Sequence, residues 1–262
     1  MKKIYIILAI LATVGMFCSC QKGGKGGKGG NGGNGGDAVA ITIDGEFNDW
    51  TNTSIATAEV DENEAGYPYL HVMKVAADED NLYFYFEYEV VEDQVKSALD
   101  IFIDNDHNPL TGFISWIWDK GGCGWDYLIE SEAGFLKTTY DADGNATGFD
   151  GIREMDDAII YWAEAYTNPT TGEQGDAWDA GSVQTPLTSK DFTETKGKVV
   201  DGIAYFEMSV PRSVVNCTRG GYIGVGVTVT NVVMPGGDWV TAGILPNEGG
   251  VGQDSFLDVQ LP

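Results

Sequence analysis

The sequence predicts an all-β protein, an antiparallel β-sandwich of the jelly-roll-like kind. Three observations lead there. The 262 residues include 36 glycines and 11% aromatics, a mixture suited to turns and strands rather than helical bundles. The chain beyond residue 38 breaks into about ten short apolar or alternating stretches separated by Asp, Asn and Gly clusters. No long stretch shows the three-to-four-residue apolar repeat of an amphipathic helix. With 43% apolar residues a buried core is within reach, and no composition break divides 38–262, so one domain is expected.

The elements follow in order. Residues 39–43 (VAITI) read as a strand, and Asp44-Gly45 as the turn that follows. Residues 70–77 form the next strand, closed by Asp78-Glu79-Asp80-Asn81. Residues 82–90 carry the clearest pattern: Leu82, Phe84, Phe86 and Tyr88 on one face, Tyr83, Tyr85, Glu87 and Glu89 on the other. Residues 98–103 are apolar apart from Asp100 and stop at an acidic loop. Residues 125–129 and 135–140 are expected to pair as a hairpin, with a turn at 141–144. Residues 158–165 read as a strand, with a short helix as the competitor. Residues 167–198 are rich in Thr, Gly, Asp, Ser and Pro and read as a loop insertion. Residues 199–210, 222–233 and 255–261 complete the strands.

The first 37 residues lie outside this pattern. Lys2 and Lys3 precede an apolar run from 4 to 17, and small residues lead to Cys20, the layout of a secretory signal over 1–19. The run Met16-Phe17-Cys18-Ser19-Cys20 resembles a bacterial lipoprotein cleavage box, which makes Cys20 the lipidated residue and the lipid the only membrane attachment. Residues 20–37 then form a tether: ten of the fourteen residues from 23 to 36 are glycine, and nothing there can pack. Lipoproteins of the Bacteroidota often carry an acidic stretch after Gln-Lys, where this chain has glycine and lysine. Gln21 rather than Asp after the cysteine favours the outer membrane, by analogy with known sorting rules, and leaves periplasmic and cell-surface faces both open.

Charge narrows the partners. The chain has 15 basic and 40 acidic residues, a net charge of -25, and residues 37–262 keep all forty acids but only ten of the bases. Such a surface repels phosphate, so nucleic acid is excluded as a partner. In the oxidising envelope Cys123 and Cys217 are expected to form a disulfide, two buried thiols being the other reading. Catalysis finds little support: two histidines, no G-x-S-x-G elbow, and so many carboxylates that a close pair is no sign of glycosidase chemistry. No catalytic residue is assigned.

Four pieces in order carry a resemblance: residues 43–50 (IDGEFNDW), 77–83 (ADEDNLY), 99–108 (LDIFIDNDHN) with Thr111-Gly112, and 204–211 (AYFEMSVP). Together they resemble the family-9 carbohydrate-binding modules and the wider DOMON-like β-sandwiches. The resemblance implies a jelly-roll-like sandwich, binding of sugar ends or in some members haem, and structural calcium. Sugar-binding members clamp their ligand between two tryptophans. Here Gln94 stands at one of those places, and the final loop, 246–253, has no aromatic, so that clamp is not present.

Two sets of residues are candidates for a site. In the loop Asp104-Asn105-Asp106-His107-Asn108, the side chains of Asp104, Asp106 and Asn108 put oxygen at alternate positions, a spacing that suits calcium and equally a solvated Asx-rich turn. Asp141, Asp143 and Asn145 repeat it. Trp116 and Trp118 share one face if their stretch is a strand, and Trp125 follows; Trp178 and Trp239 sit in loops. Such rings can stack on sugars, with Asp119 and Asp126 reaching hydroxyls, or can fill the core. The expectation is a non-catalytic carbohydrate-binding lipoprotein, with a calcium-stabilised structural or protein-partner module as the alternative.

Overall fold

A computed structural model describes residues 40–60, 70–89, 98–108, 113–114, 124–131, 136–152, 159–162, 187–188, 194–217, 220–230, 232–233, 239–240, 243–248, 251–252 and 256–262. All belong to one compact unit, Gly32–Pro262. The strands are β1 (Ala56–Glu59), β2 (Leu70–Ala77), β3 (Asn81–Glu89), β4 (Ala98–Asp104), β5 (Phe113–Ile114), β6 (Gly124–Trp125) and β7 (Tyr127–Ser131). Next come β8 (Leu136–Tyr140), β9 (Ala146–Ile152), β10 (Ile159–Trp162), β11 (Leu187–Thr188), β12 (Glu194–Val200) and β13 (Ile203–Pro211). The last are β14 (Gly221–Thr230), β15 (Val232–Val233), β16 (Trp239–Val240), β17 (Gly243–Leu245), β18 (Asn247–Glu248), β19 (Val251–Gly252) and β20 (Leu257–Leu261).

The fold is the expected antiparallel β-sandwich. One sheet has five strands in the order β1-β2-β3-β13-β12. The other runs β11-β10-β7-β4-β14-β17, with β20 also paired to β14. The alternation read in 82–90 explains the packing. Leu82, Phe84, Phe86 and Tyr88 of β3 turn inward with Met73 and Val75 of β2 and Phe206 and Met208 of β13. They meet Leu99, Ile101 and Ile103 of β4 and Ile223, Val225, Val227 and Val229 of β14. Phe84, Phe86 and Phe206 form a row, each ring 6.4 Å from the next and nearly parallel to it, which adds to their area burial about 0.5–1.5 kcal/mol per pair.

The polar-looking faces behave differently. Tyr83 and Tyr85 of β3 are also buried, because residues 41–55 lie across that outer face. The sequence predicts a strand at 39–43; of these, the described residues 40–43 form none. The stretch 41–55 runs as an irregular strap with a single turn of 3-10 helix, Asn48–Thr51. Ile41, Trp50 and Ile55 point down into the tyrosines, and Trp50 stacks on Tyr85 at 5.4 Å. Pairing with a sheet edge would have left those side chains alternating in and out; the strap buries them all. On the other sheet, Phe102, Leu128, Thr228 and Ile244 face away from the core and are buried as well.

Other boundaries shift for identifiable reasons. Residues 199–210 are not one strand: Asp201 (φ 52) and Gly202 (φ 84) turn the chain between β12 and β13. Both residues occupy the left-handed region that a tight hairpin needs, which Asp and Gly tolerate best. Strand β12 begins at Glu194, inside the stretch read as insertion. The expected hairpin of 125–129 with 135–140 does not form. β7 pairs with β4 and β10, and β8 pairs with β9. Periodicity marks a strand but not its neighbour, which is set by the burial both strands share.

A buried arginine closes one end of the sandwich. Arg212, 4% exposed, donates from Nε to the Cys217 carbonyl (2.7 Å) and from a terminal nitrogen to the Asp78 carbonyl (2.7 Å). Its backbone N–H donates to the Asp80 carbonyl (2.8 Å). The tip of the β2–β3 hairpin is thereby joined to the turn that follows β13. The sheets approach closely where β17 crosses β2: a Cβ built on Gly243 would overlap Cβ of Leu70 and reach 3.2 Å from its backbone nitrogen. Gly243→Ala is therefore expected to destabilise the fold by about 1–3 kcal/mol, read as a lowered urea midpoint with an unchanged slope.

Candidate functional site

The acidic loop after β4 is where the described structure concentrates charge. Asp104 ends β4 on the face away from the core and is 4% exposed. Asn108 bends back so that its backbone N–H donates to Asp104 Oδ1 (3.1 Å) and Asp106 Oδ1 (2.9 Å). His107 sits at φ 54, the left-handed conformation that such a tight loop requires. Asn105 ties the loop to the Arg212 turn by donating from Nδ2 to the Val215 carbonyl (3.1 Å).

A third carboxylate arrives from a distant segment. Asp126 lies in the single-residue break between β6 and β7, where its N–H donates to the Ile103 carbonyl (2.8 Å). Asn105 N–H in turn donates to Asp126 Oδ2 (2.9 Å). One oxygen each of Asp104, Asp106 and Asp126 falls within 4.8 Å of the others. Burial, followed by the neighbouring Asp106 charge, pushes Asp104 up to about 6 against the Asn108 hydrogen bond. Burial also pushes Asp126 up to about 7, reinforced by the charges of Asp106 and Asp104 and opposed by the Asn105 hydrogen bond. Hard oxygens this close suit a divalent cation such as calcium, which neutralises the mutual repulsion.

Beside the cluster opens a depression of about 620 Å³, lined by Asn105, Asp106, His107, Asn216, Gly220, Gly221 and Tyr222. Tyr222, 48% exposed, stands on β14 with its ring centroid 5.9 Å from that of His107. His107 Nε2 lies 2.8 Å from Asp258 Oδ1. The depression is lined mainly by polar groups and glycine backbone, with the half-exposed Tyr222 ring as its one large apolar surface among the described residues.

The residues singled out in the sequence fare unequally. Asp104 and Asp106 belong to the cluster, while Asn108 serves it with its backbone amide. Asp126, read as a partner for sugar hydroxyls, is the cluster's third acid. It lies 22 residues from Asp104, beyond any local spacing rule; the antiparallel pairing of β4 with β7 brings it in. Trp125 is corrected: it is 5% exposed and packs edge-on against Phe102 at 5.6 Å, so its ring is a packing element over the outer side of the sheet and not an open platform. Trp116, Trp118 and Trp178 lie outside the described residues. Trp239 is placed by its backbone in β16, opposite Val233, and its side chain is outside them.

The expected disulfide is also corrected. Cys217 is a buried free thiol, donating to the Val215 carbonyl at 3.5 Å, with burial pushing its pKa up to about 12. Cys123, its expected partner, and Cys20 lie outside the described residues. At the β8–β9 tip, Asp141 Oδ1 already accepts from the backbones of Asp143 and Asn145, both at 2.9 Å, so that spacing is used by an Asx turn. Tyr222 and Asn216 were not anticipated; the only local signal was the Gly220-Gly221 pair ahead of the tyrosine.

No family model matches the sequence, and no curated protein matches it. Among solved structures, the chain is similar to a carbohydrate-binding module of family 9 from Caldicellulosiruptor kristjanssonii in complex with cellotriose, at 14% identity and a TM-score of 0.39. That alignment covers 86% of this chain and 90% of the other. A structure of a family-9 module from the same organism in complex with glucose gives 12% identity, the same TM-score, and coverage of 86% and 93%.

The raised pKa values fix the sign of a pH dependence. Between about pH 4 and 7 the folded state holds protons on Asp104 and Asp126 that the unfolded chain has released, so stability from these groups falls as pH rises through that window. In chelator, Asp126→Asn is expected to melt above the parent at pH 7.5, with the difference closing toward pH 4.5. Equal melting temperatures at every pH would count against the coupling.

Proposed function

We propose that the mature chain is a non-catalytic glycan-binding lipoprotein of the outer membrane, held by lipid on Cys20 and presented on the glycine-rich tether. The observation that carries the glycan reading is the depression beside β14. Its half-exposed Tyr222 ring offers the flat apolar face on which a sugar stacks. Asn216 offers an amide that can hydrogen-bond hydroxyls, beside the Asn105 amide held by its bond to the Val215 carbonyl. Trp116, Trp118, Trp178 and Trp239 remain candidate rings for the same ligand. Calcium on Asp104, Asp106 and Asp126 would stiffen the loop that forms the depression's wall.

The acid cluster also favours a second reading, a calcium-stabilised structural or protein-partner module of an envelope complex. A glycan array on the chain from residue 21 onward, with calcium and with chelator, separates the two. Under the glycan reading at least one polysaccharide class is retained, and Tyr222→Ala lowers its affinity about tenfold while the melting temperature holds, a loss near 1.4 kcal/mol. Retention of no glycan, together with a calcium-dependent rise in melting temperature, would leave the structural reading. The anchor has its own check: Cys20→Ala is expected to abolish incorporation of labelled fatty acid and release the protein from membranes.

A further inference from the structure

The strap over the five-stranded sheet is held in an unusual way. Among the described residues, the backbone-to-backbone hydrogen bonds of 41–55 stay within the stretch: Trp50 N–H to the Phe47 carbonyl and Ile55 N–H to the Asn52 carbonyl. Side chains of the sheet do the fastening. Glu207 of β13, fully buried, accepts from Asp44 N–H (2.9 Å) and Gly45 N–H (2.6 Å) through Oε1 and from Trp50 Nε1 (2.8 Å) through Oε2. Lys198 Nζ donates to the Gly45 carbonyl (2.9 Å) and lies 4.9 Å from the centre of the Phe47 ring. Lys74 Nζ donates to the Trp50 carbonyl (2.9 Å).

The surface beneath does not need the strap for its own hydrogen bonds. Tyr83 donates its hydroxyl to Asp78 (2.6 Å) and Tyr85 to Glu87 (2.6 Å), partners on the sheet side. These are amphipathic rings that tolerate water, unlike Phe84, Phe86 and Phe206 on the inner face. If the strap lifted, Glu207 and the two lysines would lose hydrogen-bond partners, and Tyr85 and Tyr205 would lose their ring contacts with Trp50 and Phe47. The glycine-rich stretch joins the domain at the strap's N-terminal end.

From this arrangement we infer that residues 41–55 form a latch that opens as a unit while both sheets stay folded, with Glu207 as its catch. Tension entering through the N-terminal stretch acts on the latch first. Beyond it, β1 is zipped to β2 along four register pairs and resists peeling. Opening would lengthen the leash by roughly fifteen residues, on the order of 50 Å. The inference is independent of what the sandwich binds.

Native-state hydrogen exchange on the mature chain tests it. The amides of Asp44, Gly45 and Trp50 are expected to exchange through an opening at least a hundredfold more populated than the one that exposes β3 and β13, and with a smaller dependence on denaturant, in keeping with the smaller surface it exposes. Glu207→Gln should speed strap exchange at least tenfold and leave β3 and β13 unchanged. Lys198→Met, at an exposed position, should speed it several-fold and serves if the Glu207 variant fails to fold. Strap and sheet amides that exchange at one rate, with one denaturant dependence, in parent and variants would overturn the latch.

Discussion

The burial of one guanidinium organises the end of the molecule that carries the site. Arg212 is enclosed at 4% exposure, and an enclosed charge is tolerated only if its N–H groups find acceptors. It finds them in the carbonyls of Asp78 and Cys217, which draws the β2–β3 hairpin and the 211–217 turn together. That turn supplies the Val215 carbonyl to Asn105, and Asn105 carries the acidic loop. The same amide residue then fixes Asp126 through its backbone N–H. A chain of hydrogen bonds thus runs from a buried cation to the carboxylate cluster without any of the three acids touching the arginine in those bonds.

Glu207 is the opposite case, a buried anion on an outer face. Three hydrogen bonds reach it, and hydrogen bonds to charged groups contribute about 1.5–3 kcal/mol each. Its pKa is nevertheless raised, so the loss of water outweighs the three donors. The carboxylate is retained at a cost, and what it secures is the path of residues 41–55. Once that path is set, the tyrosine face of β3 is covered, and a strand with one polar-looking side becomes buried on both.

The site follows the same logic of crowded charge. Burial and the repulsion among neighbouring carboxylates raise the pKa values of Asp104 and Asp126, and the amides of Asn108 and Asn105 offset only part of that rise. A cation would relieve what those amides leave. The depression next to it is shaped by residues of the same loop, Asn105, Asp106 and His107, so ion and ligand would share a wall.

The alternation of residues 82–89, the turn residues and the absence of helical periodicity were enough to establish two antiparallel layers, because inward and outward positions are a property of each strand alone. The oxygen-bearing loop at 104–108 was legible for the same reason: its spacing is local. What only the tertiary structure decided is who meets whom. Trp125 looks like a platform in sequence and is packed on Phe102. Residues 39–43 look like a strand, yet the described part becomes a strap, because Glu207, more than 160 positions away, satisfies its backbone at Asp44 and Gly45. Asp126 joins Asp104 and Asp106 because β4 and β7 pair, and Cys217 is left a free thiol under the Arg212 turn. Each of these depends on a contact between segments remote in the chain, and no local pattern of side chains encodes the partner.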